Sequence, residues 1–402
     1  MKTKDTRKAA QVLLADGLVA VPTETVYGLA GNGLSEAAVA EIYRSKGRPE
    51  QKPLSLMVFG TEEISEYCEE VPRAAYTLTK RFWPGPLTLI LTSKDIVPDI
   101  VRAGGGTVGL RCPNHPLTLE LLKQCGLPLA APSANPSGQP SPKTAAEVEA
   151  YFGPALTVLD GGPCGLGVES TILDLTVTPY CVLRQGALAL TEITAALRGE
   201  MTVFGITGGT GCGKTTALQV IERMGGLVID CDEVYHTLGR TSEDLKAKLI
   251  ARFGPEPYKT GALDTKPIGE IVFHDPAALE ELNTITHAAV IAEIDRRLDG
   301  WAMSGGTLAA IDAIALIESG ASGLCDYLVG VTAPKEVRMQ RIMGRDGIRE
   351  DYARARIESQ QPDAFYKEHC DILIENTGTP EEFSRKCEMI FMEVLQHGKQ
   401  NN

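Results

Sequence analysis

The sequence contains no long hydrophobic run, and none of its apolar stretches approaches the roughly 20 residues that a membrane-spanning helix requires. Its first residues lead into an amphipathic helical pattern and contain no apolar signal core, so the sequence predicts a cytoplasmic protein with no membrane partner. The composition, with 43% hydrophobic and 23% charged residues, is that of a globular protein. At 402 residues the chain exceeds one ordinary core, which favours two domains.

Paired cysteine motifs are also absent. The ten cysteines are scattered along the chain, and no two of them form a C-x-x-C pair. This pattern gives no support to a structural zinc site and indicates reduced thiols. Cys212 differs from the other cysteines because it lies at the expected start of a helix, where the pKa of a thiol tends to fall.

The sequence has no excess of positive charge. Residues 1–200 contain 18 Lys and Arg against 21 Asp and Glu, and the rest contain 21 against 31, giving net charges of −3 and −10. The acidic second half argues against a nucleic-acid surface there. The nearly balanced first half leaves room for a local basic groove.

One glycine-rich stretch carries the clearest chemical signal. Residues 208–215 fit the pattern G-x-x-x-x-G-K-[ST], whose backbone N–H groups surround nucleotide phosphates. An apolar run at 203–207 precedes the stretch and a helical pattern at 215–224 follows it, as a phosphate loop requires. The sequence therefore predicts a site for ATP or GTP, in which Lys214 reaches the terminal phosphates and Thr215 ligates Mg²⁺.

In the first half, cations and hydroxyls recur where short apolar strands are expected to end, and open α/β sheets bind ligands at such ends. Three cations within seven residues, Lys46, Arg48 and Lys52, stand on a predicted loop. A solvated charged loop is the alternative interpretation of these three. His115 lies in the same region, although a lone histidine is more often structural than catalytic.

In order along residues 1–198, these motifs resemble the YrdC family of threonylcarbamoyl-AMP synthases. The resemblance rests on residues 22–29, 46–49, 83–88, 133–135 and 169–171. It implies a twisted, mixed α/β sheet and an enzyme that converts L-threonine, bicarbonate and ATP to threonylcarbamoyl-AMP and diphosphate for tRNA threonylcarbamoyladenosine. It also implies contact of this half with tRNA-modification proteins or double-stranded RNA.

The same resemblance implies the site residues of the first half. The ATP-contacting positions are Lys46, Arg48, Lys52, Arg111, Ser133, Asn135, Ser141 and Arg184, and the threonine-contacting positions are Thr25 and Ser170, with His115 as a further candidate. Such cations can neutralise a triphosphate and align a threonine carbamate with its α-phosphate, without a nucleophilic side chain. The alternative is a non-catalytic RNA-binding module, which the net charge of −3 and the lack of interleaved aromatic residues make weaker.

The second half closely resembles dephospho-CoA kinase over residues 201–395. The resemblance rests on residues 208–216, 228–232, 345–347 and 376–378, with Glu318 and Gln360. It implies a P-loop kinase with a parallel sheet, a helical acceptor region and a lid, which transfers the γ-phosphate of ATP to the 3′-hydroxyl of dephospho-CoA. Arg338, Arg341 and Arg345 recur at helical spacing, which suggests that they belong to this lid.

For the second half, the resemblance implies Asp232, Lys214 and Arg345 as catalytic residues and Thr215 as the ligand of Mg²⁺. The implied ATP contacts are Gly211, Cys212, Gly213, Lys214, Thr215, Thr216 and Asn376. The sequence departs from the family pattern at Thr265, at Ala288 and at residues 314–317, so another small-molecule P-loop kinase is the alternative. The whole sequence therefore predicts a fused, bifunctional α/β enzyme with domains at 1–200 and 201–402.

Overall fold

The computed structural model describes residues 1–259 and 263–397. The chain folds as two compact units, the first made of residues 1–200 with 303–305 and the second of residues 201–302 with those from 306 onward. Within the described ranges, no helix is both long enough and apolar enough to cross a lipid bilayer. The ten cysteines all lie in these ranges and carry free thiols.

The first unit is built on one mixed sheet flanked by helices. Its strands are β1 (Lys2–Thr3), β2 (Val19–Val21), β3 (Gly28–Asn32), β4 (Ser55–Met57), β5 (Leu87–Thr92), β6 (Thr107–Arg111), β7 (Leu129–Ala130), β8 (Thr157–Leu159), β9 (Thr171–Asp174) and β10 (Cys181–Arg184). Its helices are α1 (Thr6–Leu14), α2 (Glu36–Lys46), α3 (Ile64–Tyr67), α4 (Arg73–Phe82), α5 (Asp99–Arg102), α6 (Pro116–Cys125), α7 (Ala145–Phe152) and α8 (Leu190–Arg198).

The strand order of this sheet is β1-β8-β2-β3-β7-β4-β6-β5-β9-β10. The pairs β2–β8, β4–β6 and β5–β9 are parallel, whereas β2–β3, β5–β6 and β9–β10 are antiparallel. This confirms the mixed α/β sheet predicted for the first half. The central strands are apolar and buried, with Leu29, Leu56 and Leu89 completely excluded from solvent, so the sheet supplies the core on which the loops at its edge are held.

Two features of this sheet were not predicted. Residues 22–29 directly follow β2, as expected, but a further strand, β3, begins inside them at Gly28. The sequence of β3, GLAGN, has little β-propensity, and main-chain pairing with β2 and β7 forms the strand instead. Ser170, expected at the end of a strand, immediately precedes β9.

The second unit contains a parallel sheet and two groups of helices. Its strands are β11 (Thr202–Thr207), β12 (Leu227–Asp230), β13 (Leu308–Asp312), β14 (Tyr327–Thr332) and β15 (Ile372–Glu375). Its helices are α9 (Lys214–Arg223), α10 (Cys231–Thr241), α11 (Glu243–Phe253), α12 (Lys266–Val272), α13 (Pro276–Ala302), α14 (Lys335–Asp346), α15 (Glu350–Glu358), α16 (Asp363–His369) and α17 (Pro380–His397).

The five strands follow the order β12-β13-β11-β14-β15 and are all parallel. Helix α9 packs on this sheet and on α17, around a core that includes Phe204, Val220 and Phe391. Helices α10 to α13 form a separate apolar cluster around Leu249 and Phe253. The parallel sheet and the helical region agree with the fold predicted for a P-loop kinase. Since parallel strands end at one edge, the segments after β11, β12 and β13 converge there.

Candidate functional sites

The first unit contains a cavity of about 210 Å³. Five of the predicted site residues line it, namely Arg48, Arg111, Ser133, Ser170 and Arg184. Arg111 is the last residue of β6 and Arg184 is the last residue of β10, so the sheet fixes the Cα positions from which both side chains extend. The structure thus brings together three guanidinium groups and two hydroxyls that are far apart in the sequence.

Two polar residues that bond with predicted site residues were not themselves predicted as part of the site. Thr88 and Glu169 both line the cavity, and the hydroxyls of Thr88 and Ser170 lie 2.9 Å apart because β5 and β9 are parallel neighbours. Both residues lie in or beside segments that carry the YrdC resemblance. The sequence therefore held a signal for them, but only the pairing of the strands shows that they face the same space.

Among the cations that line the cavity, Arg111 is the most buried, with a residue exposure of 8%. It donates hydrogen bonds to Glu24 Oε1 at 2.8 Å, to Thr25 Oγ1 at 2.8 Å and to the carbonyl of Gly85 at 3.2 Å. Thr25, predicted to contact threonine, is fully buried and does not line the cavity itself. Thr25 is connected to the cavity by its hydrogen bond with Arg111, which lines the cavity.

The role of Lys46 in this structure differs from that of a lysine that binds phosphate. Its ammonium is buried and donates to the main-chain carbonyls of Ser133 and Asn135, so it holds this turn in place rather than lining the cavity. Burial, and secondarily the charge of Arg48, lower the pKa of Lys46 to about 8. The amide nitrogen of Asn135 donates to the carbonyls of Pro136 and Gln139, while its Oδ1 is buried without a partner.

Gly47 separates Lys46 from Arg48 and ends α2 in the left-handed conformation, with φ of +59°. The turn sends Arg48 towards the cavity, where its Nε and Nη2 donate to the carbonyls of Lys52 and Pro53 at 3.1 and 2.9 Å. Arg48 therefore also fixes the loop at 48–53. The side chain of Lys52 is exposed and does not line the cavity.

Glu169 joins two of the predicted nucleotide contacts. Its Oε2 accepts a short hydrogen bond from Arg184 Nη1, and its Oε1 accepts one from Ser141 Oγ at 2.9 Å. Arg184 Nη2 also donates to the carbonyl of Ser170 at 2.9 Å and to its hydroxyl at 3.1 Å. One carboxylate therefore engages both Ser141 and Arg184, although Ser141 does not itself line the cavity.

His115 lies outside this cavity, directly before α6. A Cβ placed on Gly161 would come within 2.6 Å of the imidazole ring, so the ring packs closely against that backbone. Burial lowers the pKa of His115, and its Nδ1 is buried without a hydrogen-bond partner. This environment is that of a packed histidine.

The second unit contains a cavity of about 330 Å³ at the carboxyl edge of its sheet. The glycine-rich loop forms one wall, with Gly208, Gly211 and Gly213 at φ values of +143°, +82° and +106°. A Cβ at Gly213 would lie 2.3 Å from the amide nitrogen of Asn376, so only glycine fits there. The other predicted residues that line this cavity are Lys214, Thr215, Asp232 and Arg345.

The pKa of Cys212 is not lowered, although its position at the start of a helix led us to expect a lower value. Cys212 is 1% exposed, and burial raises its pKa despite the positive charges of Arg338 and Lys214 nearby. Cys212 and Thr216 contribute to the loop through their main chains, with Cys212 O accepting from Asn376 Nδ2 at 2.8 Å and Thr216 N donating to Gly213 O at 3.0 Å.

Lys214 is held over the loop by a hydrogen bond of 2.8 Å from its Nζ to the carbonyl of Gly208. Burial lowers the pKa of Lys214, and the negative charge of Asp312 opposes that shift. The ammonium therefore lies at the floor of the cavity, at the position from which a lysine can reach bound phosphates.

Three carboxylates face this lysine from the ends of β12 and β13. Asp230 caps α10 by accepting from the N–H groups of Asp232 and Glu233 at 2.8 and 3.1 Å. Asp232 follows in the first turn of α10, and its side chain is exposed to the cavity. Burial raises the pKa of Asp312 to about 6, and its Oδ1 is buried without a hydrogen-bond partner. Asp312, the last residue of β13, was not predicted as a site residue.

The arginines of α14 do not all line the cavity, although the sequence predicts that all three belong to one lid. Arg338 is 5% exposed and donates to the carbonyl of Thr210 at 3.0 Å and to Gln360 Oε1 at 2.9 Å. Arg341 donates to Asn376 Oδ1 at 3.1 Å. Arg338 therefore braces the phosphate loop from outside the cavity, and Arg341 both braces the loop and lines the cavity. Arg345 and Arg356 also line the cavity, and both bind Asp346.

A second cavity of about 320 Å³ adjoins the first in this unit. The two share Asp232, Ala313 and Ile314, and the second is lined further by Tyr235 and His287 from α10 and α13. It is more apolar than the phosphate cavity. Asp232 therefore lies where a nucleotide in one cavity and an acceptor in the other would meet.

Two family models match the chain. Residues 11–186 match the Sua5–YciO–YrdC model, described as Telomere recombination, and residues 202–382 match the CoaE model, described as Dephospho-CoA kinase.

Curated relatives match each half in the same way. A threonylcarbamoyl-AMP synthase of Pyrococcus abyssi is 45% identical over 198 residues, covering 49% of this chain and 58% of the relative. That of Rattus norvegicus is 36% identical over 208 residues, covering 49% and 72%. A dephospho-CoA kinase of Geobacter sulfurreducens is 34% identical over 192 residues, covering 48% and 98%. The chain spans only 52% to 58% of the length of three of the synthases that it matches.

Proposed function

The chain belongs to the Sua5–YciO–YrdC family over its first half and to the dephospho-CoA kinase family over its second, and from this we propose that it is a bifunctional enzyme. The first unit makes threonylcarbamoyl-AMP and diphosphate from L-threonine, bicarbonate and ATP. The second unit phosphorylates the 3′-hydroxyl of dephospho-CoA to give coenzyme A. The observation that carries the proposal is that each unit has its own cavity lined by cations suited to phosphates.

In the second unit, phosphoryl transfer requires positioned reactants and positive charge around the moving group. The loop at 208–213 supplies backbone N–H groups, and Lys214 and Arg345 supply positive charge in the same cavity. The carboxylate of Asp232, at the junction of the two cavities, accepts or orients the proton of the acceptor hydroxyl. The adjoining apolar cavity holds the acceptor.

The residues around this cavity fit Mg²⁺ delivered with ATP. Mg²⁺ prefers oxygen ligands and in such sites is held by one or two protein groups together with substrate phosphates. Thr215 and the orphaned buried Oδ1 of Asp312 supply such oxygens. Among the described residues, no group of three or more His, Cys, Asp or Glu side chains could hold a metal by itself, which agrees with sharing the ion with phosphates. When bound, the ion would neutralise phosphate charge.

In the first unit, the reaction joins a threonine carbamate to the α-phosphate of ATP and releases diphosphate. Arg48 and Arg184 bind the triphosphate, and Lys46 holds the turn at 133–135 that contacts the nucleotide. The hydroxyl of Ser170 binds threonine, and Arg111, which also lines the cavity, is held by Thr25. These groups accelerate the reaction by alignment and charge neutralisation.

The test is to incubate the whole protein with magnesium and ATP and, in separate tubes, either threonine with bicarbonate or dephospho-CoA. Products are identified by mass. The two activities should separate in single variants of the full chain. Lys214→Ala should abolish formation of coenzyme A and leave threonine-dependent diphosphate release intact, while Arg48→Ala should do the reverse.

Each variant serves as the folding control of the other. Loss of one phosphate-binding cation should reduce kcat by a factor of 100 or more, on the order of 3 kcal/mol. Normal phosphorylation by Lys214→Ala would refute the kinase assignment. A normal synthase reaction in Arg48→Ala would refute the role given to Arg48. An absence of threonine-dependent diphosphate release in the unmodified chain would instead favour an RNA-binding role for the first unit, which a filter-binding assay with double-stranded RNA or tRNA would test.

A further inference from the structure

The carboxylate of Glu169 lies in the cavity of the first unit, among groups that are expected to bind a polyanion. Its two oxygens are both engaged there, one by Arg184 and the other by Ser141. Both partners are predicted nucleotide contacts. Each phosphate oxygen that binds Arg184 or Ser141 must therefore compete with a carboxylate that already binds them.

The charge of Glu169 also acts on the other cations of the site. Burial lowers the pKa of Lys46 and of Arg48, and in both cases the negative charge of Glu169 opposes that shift. Arg111 has a different carboxylate partner, Glu24, at 2.8 Å. Glu169 is therefore the counter-ion shared by the Lys46, Arg48 and Arg184 side of the cavity.

The backbone of Glu169 is fixed, although its carboxylate is held only by side chains. The carbonyl of Glu169 accepts from Ala187 N at 2.9 Å, and a Cβ on Gly186 would approach that carbonyl oxygen to 2.3 Å. The main chains of 169–170 and 186–187 are thus in close contact. The side chain, which is 36% exposed, can change rotamer without moving that backbone.

We propose that Glu169 is a resident counter-ion of the nucleotide cavity, which the triphosphate of ATP displaces from Arg184 and Ser141 when it binds. The inference rests on the proposed synthase function of this unit. Like-charge repulsion between a carboxylate and a triphosphate is unfavourable, so ATP entry requires Glu169 to turn out of the cavity. While the cavity is empty, Glu169 thereby neutralises and orders the cation cluster. Its presence also lowers the affinity of the cavity for ATP.

Displacement of Glu169 also affects Ser170, a residue that is predicted to contact threonine. Arg184 donates to the hydroxyl of Ser170 at 3.1 Å while it is bound to Glu169. If Arg184 turns towards phosphates, the Ser170 hydroxyl loses that donor and keeps the Thr88 hydroxyl, 2.9 Å away, so that one of its hydrogen-bonding positions opens to a ligand. Binding of the triphosphate thus prepares the neighbouring position for the amino acid.

The experiment uses the full chain carrying Lys214→Ala, which should weaken ATP binding by the second unit, and compares it with and without Glu169→Gln. Titration calorimetry without magnesium measures the Kd of ATP and of AMP. Glu169→Gln should tighten ATP binding by about three- to tenfold, with tenfold corresponding to about 1.4 kcal/mol. The gain should be smaller for AMP, which carries fewer charges. In the otherwise unmodified chain, the KM for ATP in diphosphate release should fall.

Glu149→Gln is the matched control, because Glu149 pairs with Lys2 and has the same side-chain exposure of 36% without lining the cavity. Its ATP affinity should be unchanged. Glu169→Asp, which keeps the charge, should not tighten binding, so it separates a charge effect from a change in packing even if one variant folds poorly. Unchanged or weaker ATP binding in Glu169→Gln, or an equal gain for AMP, would overturn the proposal. An absence of ATP binding and of diphosphate release in the parent chain would instead refute the synthase function on which it rests.

Discussion

Asp312 offers a test in which activity and stability should move in opposite directions. Burial raises the pKa of this carboxyl from 3.8 to about 6, even though Lys214 lies nearby and acts against the rise. At neutral pH the folded second unit therefore holds a charged carboxylate in a place that disfavours it. Asp312→Asn removes the charge and keeps the shape.

The sign and size of the effect follow from proton linkage. Because the folded pKa lies above the unfolded one, the folded state binds more protons between about pH 4 and pH 6, and stability of the wild type falls as pH rises through that window. The difference in unfolding free energy between Asp312→Asn and wild type should therefore grow from about 1.5 kcal/mol at pH 5 to at most about 3 kcal/mol at pH 7.5. Solvent screening of the partly exposed group reduces both figures.

The assay is denaturant unfolding of the full chain without nucleotide, following the transition of the second unit from pH 5 to 7.5. Asp351→Asn is the control, since Asp351 is an exposed acid paired with Arg349 outside the cavity, and it should shift stability by less than about 0.5 kcal/mol. Kinase activity of Asp312→Asn should fall, since a neutral amide is a poorer ligand for Mg²⁺. A variant that is less stable at pH 7.5, or a stability difference that is independent of pH, would refute the reasoning.

Two further predictions concern the phosphate loop and the two units. Gly213→Ala should abolish kinase activity because the new Cβ would lie 2.3 Å from Asn376 Nδ2 at a φ of +106°, while Gly344→Ala in α14, where a Cβ meets nothing within 4 Å, should leave it intact; equal activity of the two variants would show that the loop tolerates a side chain. We also propose that residues 1–200 and 201–402 are autonomous domains, so that the two fragments expressed separately should each keep kcat/KM within about tenfold of the intact chain. An insoluble or inactive fragment would contradict that proposal.

Local sequence alone determined much of this protein. Glycine at 208, 211 and 213 with Lys214 predicts the loop because only glycine adopts those backbone angles and approaches, and β11 and α9 flank it as expected. The strands β5, β13 and β14 can also be predicted from their apolar runs, because continuous hydrophobic segments bounded by turns form buried strands. In contrast, β3 could not be predicted, because partners distant in the sequence form it.

Tertiary structure decided which of the predicted residues face a ligand. Lys46 and Arg48 are two residues apart in sequence, yet Gly47 turns one onto the carbonyls at 133 and 135 and the other towards the cavity. Arg338 braces the phosphate loop while Arg345, two helical turns later, lines the cavity. The burial that raises the pKa of Cys212 and of Asp312 likewise comes from elements far away in the chain. A sequence pattern specifies the chemistry available, but solvent access and hydrogen-bond partners depend on strand order and packing, which bring distant segments together.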